Sequence, residues 1–181
     1  MRGVGISSTN DEMVWVQSSS GDFHAVAQEG VQAAEAPADV FYGDRFNQFQ
    51  VFDELVINAN GQVAFHARLK GSGLGSTAGN LNDTGLWATD MAGALRSIVI
   101  SGQPFQTTDG QTKTHGTVFF AGDTGNDDGH ASGFSDSGHV AFHGYYGHAG
   151  AIYVSSKVAI PEPASALLLV VALACCVRRR A

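Results

Sequence analysis

The chain repeats itself, and this constrains its fold more than any other feature of the sequence. The segment "VINANGQVAFHARL" (56–69) returns as "GFSDSGHVAFHGYY" (133–146), 77 positions later. A second element, "MVWVQSSSGDFHAVAQEG" (13–30), matches "GLWATDMAGALRSIVISG" (85–102), 72 positions later, and begins a third time as "GAIYVSS" at Gly150. Because two elements recur in the same order, the sequence predicts a repeat protein whose neighbouring units complete each other's core.

Each repeat is predicted to consist of short β-strands. The segments "VWVQ" and "LWAT" have hairpin partners in "HAVAQ" and "RSIVI". A second hairpin turns at Asn60-Gly61 in one copy and at Ser137-Gly138 in the other, and Asn-Gly predicts a type I′ turn. The strand that follows, "QVAFHARL", alternates between two faces. One face is predicted to hold Val63, Phe65, Ala67 and Leu69, and the other Gln62, Ala64, His66 and Arg68.

Four short strands per unit predict an all-β fold of tandem four-stranded repeats, similar to the blades of an incomplete β-propeller. Trp15, Trp87 and Tyr153 take equivalent positions, and we predict that they lie in the core. Since about two units leave strand edges unpaired, we expect the chain to oligomerise or to end a larger protein. The predicted segments are a disordered or truncated N-terminus (1–11), repeat one (12–82), repeat two (83–148), a third repeat start or closing strand (149–158) and a tail (159–181).

The composition of the chain excludes several classes of partner and site. Residues 161–181 hold three Arg and one Glu, and the remaining chain carries 7 basic and 16 acidic residues. Such a surface repels nucleic acid and anionic lipid. Residues 1–160 contain no Cys, which excludes a disulfide framework or a Cys-ligated metal there. The 23 glycines favour a turn-dense β protein.

The tail combines two prolines, an apolar run and a basic end. Pro161 and Pro163 prevent a helix from continuing upstream and leave Glu162 accessible. A helix over the uncharged residues 164–177 is about 21 Å long, shorter than the bilayer core of about 30 Å. We predict a transmembrane-type helix with a cytoplasmic basic end; the alternative is a buried core helix. Its residues include Ala164, Leu167, Leu168, Leu169, Val170, Val171, Leu173 and Val177, followed by Arg178, Arg179 and Arg180, and Cys175 and Cys176 are predicted to be small apolar residues of this helix.

The order of Pro161-Glu162-Pro163, apolar helix and basic terminus resembles the PEP-CTERM sorting signal of Gram-negative bacteria. In that family an exosortase, a membrane-bound transpeptidase-like enzyme, recognises the Pro-Glu-Pro segment, and the helix is a temporary membrane anchor. Such proteins are exported and often accompany exopolysaccharide loci. The resemblance implies an exosortase partner, transient tethering to the inner membrane, and then a place in the cell envelope or extracellular matrix, with exopolysaccharide as a further partner.

The beginning of the chain does not match this export prediction. Residues 1–17 have one Arg but no apolar run of seven residues and no convincing cleavage site. We therefore expect that the chain is a fragment of a longer exported protein, or that its start was assigned too late.

The repeat itself resembles the choice-of-anchor tandem-repeat proteins that contain N-x-x-G-x-x-A-F. Asn58, Gly61, Ala64 and Phe65 match that motif in full. In the second copy Ser135 replaces the Asn, while the other three positions match as Gly138, Ala141 and Phe142. The resemblance implies an exported scaffold of repeats with no established activity and no catalytic residues.

Candidate residues for metal chemistry are sparse. Five of the seven His lie between His115 and His148, but His139 and His143 would stand about 13 Å apart on a strand. A cross-strand site with His130 or His148 is the alternative to a solvated polar face. Asn126 and Asp128 fit an EF-hand-like frame, whose first and twelfth positions hold Thr124 and Ser135 instead of acidic residues. These residues are a weak Ca²⁺ candidate, and we predict neither a cofactor nor a resident metal.

Candidate catalytic residues are equally sparse. Asp53-Glu54 and Asp127-Asp128 are sequence neighbours, predicted to point in opposite directions or to lie in loops, unlike the opposed carboxylates of glycosidases. No nucleophile elbow or phosphate-binding loop is present. The first hypothesis is therefore a non-catalytic, exported β-repeat protein. The alternatives are a carbohydrate-binding or carbohydrate-active module, or a truncated gene fragment without function.

Overall fold

The computed structural model describes residues 6–17, 20–46, 49–74, 82–120, 132–146 and 149–160. Within these ranges the fold is all-β and contains no helix, which confirms the all-β part of the predicted fold class. The strands are β1 (Met13–Gln17), β2 (Phe23–Gln28), β3 (Val40–Tyr42), β4 (Phe52–Ile57), β5 (Val63–Gly71), β6 (Thr84–Thr89), β7 (Leu95–Ile100), β8 (Pro104–Gln106), β9 (Thr112–Thr114), β10 (Thr117–Phe120), β11 (Val140–Tyr146) and β12 (Ala149–Ser155).

All strand pairs are antiparallel, and the strands form four sheets. β1 pairs with β2, β8 pairs with β9, and β10, β11 and β12 form a three-stranded sheet in that order. The largest sheet has five strands: β5 pairs with β6, β6 pairs with β7, and β3 and β4 share the other edge of β5. Because β5 pairs with β6, this sheet spans the boundary at 82/83 between the two predicted repeats.

Three of these sheets stack into layers. The first layer is β1–β2, the middle layer is β3 to β7, and the third layer is β10–β12. One core cluster joins the first and middle layers, and a second cluster joins the middle and third layers. The middle layer is therefore covered on both faces, and all six residues of β6 are buried. Face-to-face packing of sheets through their apolar sides is the usual way in which β proteins build a core.

Strand β5 confirms the predicted alternation between two faces. Val63, Phe65, Ala67 and Leu69 lie in the core between the first and middle layers. Ala64 lies in the core between the middle and third layers. The first core contains a cluster of rings, in which Trp87 stacks on Phe65 and contacts Tyr42 edge to face. Such ring pairs stabilise the core by about 0.5–1.5 kcal/mol each beyond the area they bury.

The hairpins β1–β2 and β6–β7 have the same register at every pair. The pair Trp15↔Ala25 in the first hairpin corresponds to Trp87↔Ser97 in the second. Each hairpin also has an irregularity at the equivalent step, immediately before the tryptophan. The strands β5–β6 and β11–β12 agree in the same way, since Phe65↔Trp87 corresponds to Phe142↔Tyr153.

The three aromatic positions predicted to lie in the core differ in burial. Trp87 is fully buried, and its Nε1 donates a hydrogen bond to the carbonyl of Ala34 at 2.9 Å. Tyr153 is partly buried against the second core. The prediction is wrong for Trp15, whose surface is 52% exposed. The reason is that the described residues cover the first layer on one face only, where Val14 and Val16 lie.

Candidate functional site

The repeat motif begins at a turn between β4 and β5. The N–H of Gly61 donates to the carbonyl of Asn58 at 3.0 Å, and the N–H of Asn58 donates to the carbonyl of Gln62 at 3.0 Å. Gly61 has a φ of +76°, while Asn60 does not have a positive φ. The predicted type I′ turn is therefore wrong, because that turn needs positive φ at both central residues. The turn is a type I turn followed by a glycine bulge.

The asparagine of the motif stabilises this turn through its side chain. Asn58 Oδ1 accepts hydrogen bonds from the N–H of Asn60 at 3.1 Å and of Gln62 at 3.0 Å. A short polar side chain at the first turn residue commonly bonds the backbone in this way. In the second copy Ser135 Oγ accepts a hydrogen bond from the N–H of His139 at 3.0 Å. The replacement of Asn by Ser therefore keeps the hydrogen bond to the N–H four positions later.

The same turn occurs twice more, once in the predicted hairpin between β6 and β7 and once at a position that sequence reasoning missed. Residues 90–94 and 107–111 have the same pair of backbone hydrogen bonds, with Gly93 and Gly110 at positive φ. Asp90 Oδ1 accepts hydrogen bonds from Ala92 and Ala94, as Asn58 does from its own turn. The available signal was a small polar residue three positions before a glycine, without the Ala-Phe pair that follows in the full motif.

The two motif turns bind each other at equivalent positions. Asn58 Nδ2 donates to the carbonyl of Ser135 at 3.0 Å, and the N–H of Ala59 donates to Asp136 Oδ1 at 2.9 Å. Asn60 Nδ2 donates to the carbonyl of Asp136 at 2.6 Å. These hydrogen bonds link residues about 77 positions apart and fix the middle layer against the third layer.

The other motif residues are part of the core. Ala64 and Phe65 are fully buried, Phe142 is buried, and Ala141 is half-buried. Buried Gln62, beside Gly61, donates to the carbonyls of Thr89 and Val158. The structure therefore brings the motif residues together as turn supports and core contacts.

A carboxylate–histidine group lies where β4 bulges away from β5. Asp53 Oδ1 is 2.5 Å from His66 Nδ1, and donor atoms of Asp53, Glu54 and His66 lie within 4.8 Å of one another. The register of β4 shifts between Asp53 and Val56, and Glu54 has a φ of +48°. The prediction that Asp53 and Glu54 point apart or lie in loops is therefore wrong. No other group of this kind occurs in the described part of the chain.

These three side chains are of the types that bind divalent cations, but their hydrogen bonds give them a structural role. Glu54 Oε2 accepts a hydrogen bond from the N–H of Phe120 in β10 at 3.1 Å, which ties the middle layer to the third layer. His66 is held by Asp53, and its buried Nε2 has no hydrogen-bond partner. Opposed carboxylates for glycoside hydrolysis would need to flank a cleft, whereas Asp53 and Glu54 are adjacent on one strand.

A groove of about 770 Å³ runs between the β8–β9 hairpin and β12. Phe105 and Tyr153 line it and contact each other edge to face, with ring centroids 5.2 Å apart. Lys113 and Lys157 also line it, and Asp109 is the one carboxylate among its described lining residues. The groove therefore offers aromatic and polar contacts for a ligand, without a pair of carboxylates opposed across it.

One ion-pair network lies beside this groove. Lys157 Nζ is 2.6 Å from Glu35 Oε2, and Arg96 contacts the other oxygen of the same carboxylate. Partial burial would raise the pKa of Glu35, but hydrogen bonds from Lys157, Arg96 and Ser97 lower it to about 2. The carboxylate joins the loop after β2 to β7 and to the end of the third layer.

Several predicted site residues lie outside the described residues. These are the sorting motif with the apolar helix and the arginines (161–180) and the calcium candidates Asn126 and Asp128. The part of the chain that the structure describes contains no helix that is long and apolar enough to span a membrane. His139 lies in the turn before β11, and its Nδ1 is hydrogen-bonded with Ser137 Oγ.

The fold and the site together define a class: an all-β protein of stacked antiparallel sheets, whose recurring motif builds turns and core. A family model described as "Family of unknown function (DUF7453)" matches residues 1–167. The chain belongs to this family. No curated protein and no solved structure matches it.

Proposed function

We propose that this protein is an exported, non-catalytic scaffold of β-repeats that acts in the cell envelope or the extracellular matrix. A PEP-CTERM-like tail, with Pro161, Glu162 and Pro163 recognised by an exosortase, directs it there. The observation that carries the proposal is the use of the motif residues. Asn58, Gly61 and Phe65 support a turn or fill the core, as expected of a scaffold.

The finer architecture in this proposal is a series of blade-like units. β4, β5, β6 and β7 are consecutive antiparallel strands, and such a four-stranded meander is the unit of a β-propeller. The third layer repeats the register of the middle one as far as β12. On this proposal the chain supplies neighbouring units of a larger β-array, in which each unit covers the next.

The proposed export and processing are tested by measuring the intact mass of the protein in each fraction of its native cells. We expect an envelope or secreted species that ends between Pro161 and Ala164. Glu162→Ala should leave the tail in place and retain the protein at the membrane, whereas the exposed control Ser156→Ala should be processed as the wild type is. A full-length protein found in the cytoplasm alone would contradict export. A full-length protein in the membrane would contradict processing.

A second candidate function, carbohydrate binding, is favoured by the groove beside β12. Aromatic rings next to amide, hydroxyl and charged groups are the usual composition of a ligand site with a few orienting polar contacts. Phe105 and Tyr153 provide the rings, and Gln106, Gln111 and Lys113 provide polar groups. The absence of a second carboxylate across the described groove supports binding over hydrolysis.

This candidate is tested by titrating purified protein with matrix polysaccharide and with neutral and acidic oligosaccharides. We expect Gln111→Ala, which changes an exposed groove residue, to weaken binding several-fold. The control Gln50→Ala changes an exposed glutamine outside this groove and should bind as the wild type does. Equal binding by both variants, or no binding by the wild type, would exclude this function for the groove.

A further inference from the structure

Each layer of the stack has two different faces. The tryptophan face holds Trp15 in the first layer, Trp87 in the middle layer and Tyr153 in the third. The aliphatic face is the opposite one. It holds Val14 and Val16 in the first layer, Leu86 and Ala88 in the middle layer, and Ile152 and Val154 in the third. The equivalence follows from the strand registers, which agree between layers.

Both interfaces inside the chain pair an aliphatic face with a tryptophan face. Between the first and middle layers, Val14 and Val16 pack in the cluster that holds Trp87. Between the middle and third layers, Leu86 and Ala88 pack in the cluster against which Tyr153 lies. The stack is therefore directional: each layer presents its aliphatic face to the tryptophan face of the next.

This pattern leaves one face of each kind without a partner in the described part of the chain. On the tryptophan face of the first layer, Trp15 is 52% and Phe23 is 65% exposed. On the aliphatic face of the third layer, Ile152 is 78% and Val154 is 66% exposed. Phe119 and Tyr145 belong to the same outer face of the third layer and contact each other. Clustered apolar exposure of this kind marks an interaction surface.

We propose that these two outer faces bind each other between copies of the chain. The aliphatic face of the third layer of one copy covers the tryptophan face of the first layer of the next copy. The occupant is a second copy because the internal interfaces already pair the same two kinds of face. Residues equivalent to Trp15 and Ile152 lie buried in those interfaces as Trp87 and Leu86.

The contact joins two different faces, so it repeats head to tail. Interfaces of this type produce closed rings when the rotation between copies closes, and open stacks when it does not. Since each copy has one face of each kind, the wild type assembles beyond a dimer. This assembly surface adjoins the groove beside β12, whose lining includes Ile152 and Val154. It does not depend on the proposed export, because purified protein is sufficient to form it.

The test uses sedimentation velocity on the purified full chain over a series of concentrations. Phe23→Asp places a charge on the exposed tryptophan face of the first layer. Ile152→Asp places a charge on the exposed aliphatic face of the third layer. Each variant should be monomeric alone, because its intact face has no partner. An equimolar mixture should form a species of twice the monomer mass and nothing larger. Phe46→Asp is the matched control, since Phe46 is as exposed as Phe23 but lies in a loop, and it should assemble as the wild type does.

Circular dichroism of each variant confirms that it is folded before the masses are compared. The proposal is overturned if folded single variants assemble as the wild type does, which would assign association to another part of the chain, such as the tail. It is also overturned if the mixture of the two variants stays monomeric, or if the wild type is monomeric throughout. A stable dimer of Phe23→Asp alone would mean that the aliphatic face pairs with itself, and would refute head-to-tail contact.

Discussion

The hairpins β1–β2 and β6–β7 share a register but have different surroundings. Their five strand pairs correspond at every position, including the bulge before the tryptophan. Yet Trp87 is fully buried, while Trp15 is 52% exposed. β6 has a strand on each side and a layer on each face, whereas β1 has, among the described residues, one partner strand and one covered face. Local pairing thus follows from the repeat, and burial follows from the number of covering layers.

This comparison also separates two kinds of energy in a repeat protein. The strand register within a hairpin, and the positive φ of the glycine at its turn, are the same in both copies. The hydrophobic contribution differs, since burial of apolar area contributes roughly 25 cal/mol per Å² and Trp15 gains only part of it. Substitutions at equivalent positions should therefore differ where they change the core and agree where they change a turn.

The largest difference is expected between Trp87→Ala and Trp15→Ala. Truncation of a fully buried aromatic residue removes its transfer energy and leaves a cavity, at a cost of about 3–5 kcal/mol. Trp87 also loses the hydrogen bond to Ala34. Trp15→Ala should cost about 1 kcal/mol or less at low protein concentration, where no second copy covers it. The free energies of unfolding in urea check both values.

The control for the tryptophan pair is Trp87→Phe, which keeps most of the apolar area and should recover more than half of the loss. Equal destabilisation by Trp15→Ala and Trp87→Ala would contradict the difference in burial. Measurement at high concentration refines the comparison further. There, the cost of Trp15→Ala should rise if a second copy covers the first layer.

The turn glycines should instead behave alike. Gly21 and Gly93 are equivalent, have φ of +94° and +79°, and have open space where a Cβ would be. Gly21→Ala and Gly93→Ala should each destabilise by about 1 kcal/mol, because alanine is strained at positive φ. Matched urea unfolding of the two variants measures this. If the destabilisation by the two variants differs by more than about 1 kcal/mol, the two turns are not energetically equivalent.

The smallest effect concerns the stability of the protein at low pH and involves an ion-pair network that contacts only the second hairpin. Glu35 holds Arg96 and Ser97 of β7 together with Lys157, and its pKa is lowered from 4.5 to about 2. A lowered carboxyl pKa contributes stability that is present above the ordinary value and is lost as the pH falls from about 4.5 towards 2. Because the carboxylate is partly exposed, solvent screening keeps the contribution small.

Glu35→Gln isolates this contribution. Relative to the wild type it should be less stable at pH 6 and should lose less stability between pH 5 and pH 2. Thermal unfolding across this pH range checks the expectation. If the stabilities of the two proteins differ by the same amount at every pH, the ion pair with Lys157 and Arg96 does not contribute in solution.

The carboxylate group at β4 shows why part of the candidate site escaped prediction. Asp53 and Glu54 are neighbours in sequence, and alternation along a regular strand would place them on opposite faces. The bulge between Asp53 and Val56 changes this and brings both towards His66. A bulge depends on how β4 fits against β5 and β10, which strand propensity does not encode. The same applies to the turn at Asn58, whose glycine was recognised while its turn type was not.

The sequence by itself determined the all-β class, the hairpin partners and the alternation along β5. These depend on local patterns: a period of two, glycines at turns, and repetition at a fixed spacing. Only the tertiary structure decided which copy of a repeated residue is buried. Trp15 and Trp87 have equivalent positions within their hairpins, so the difference between them comes from the layers that lie on either side.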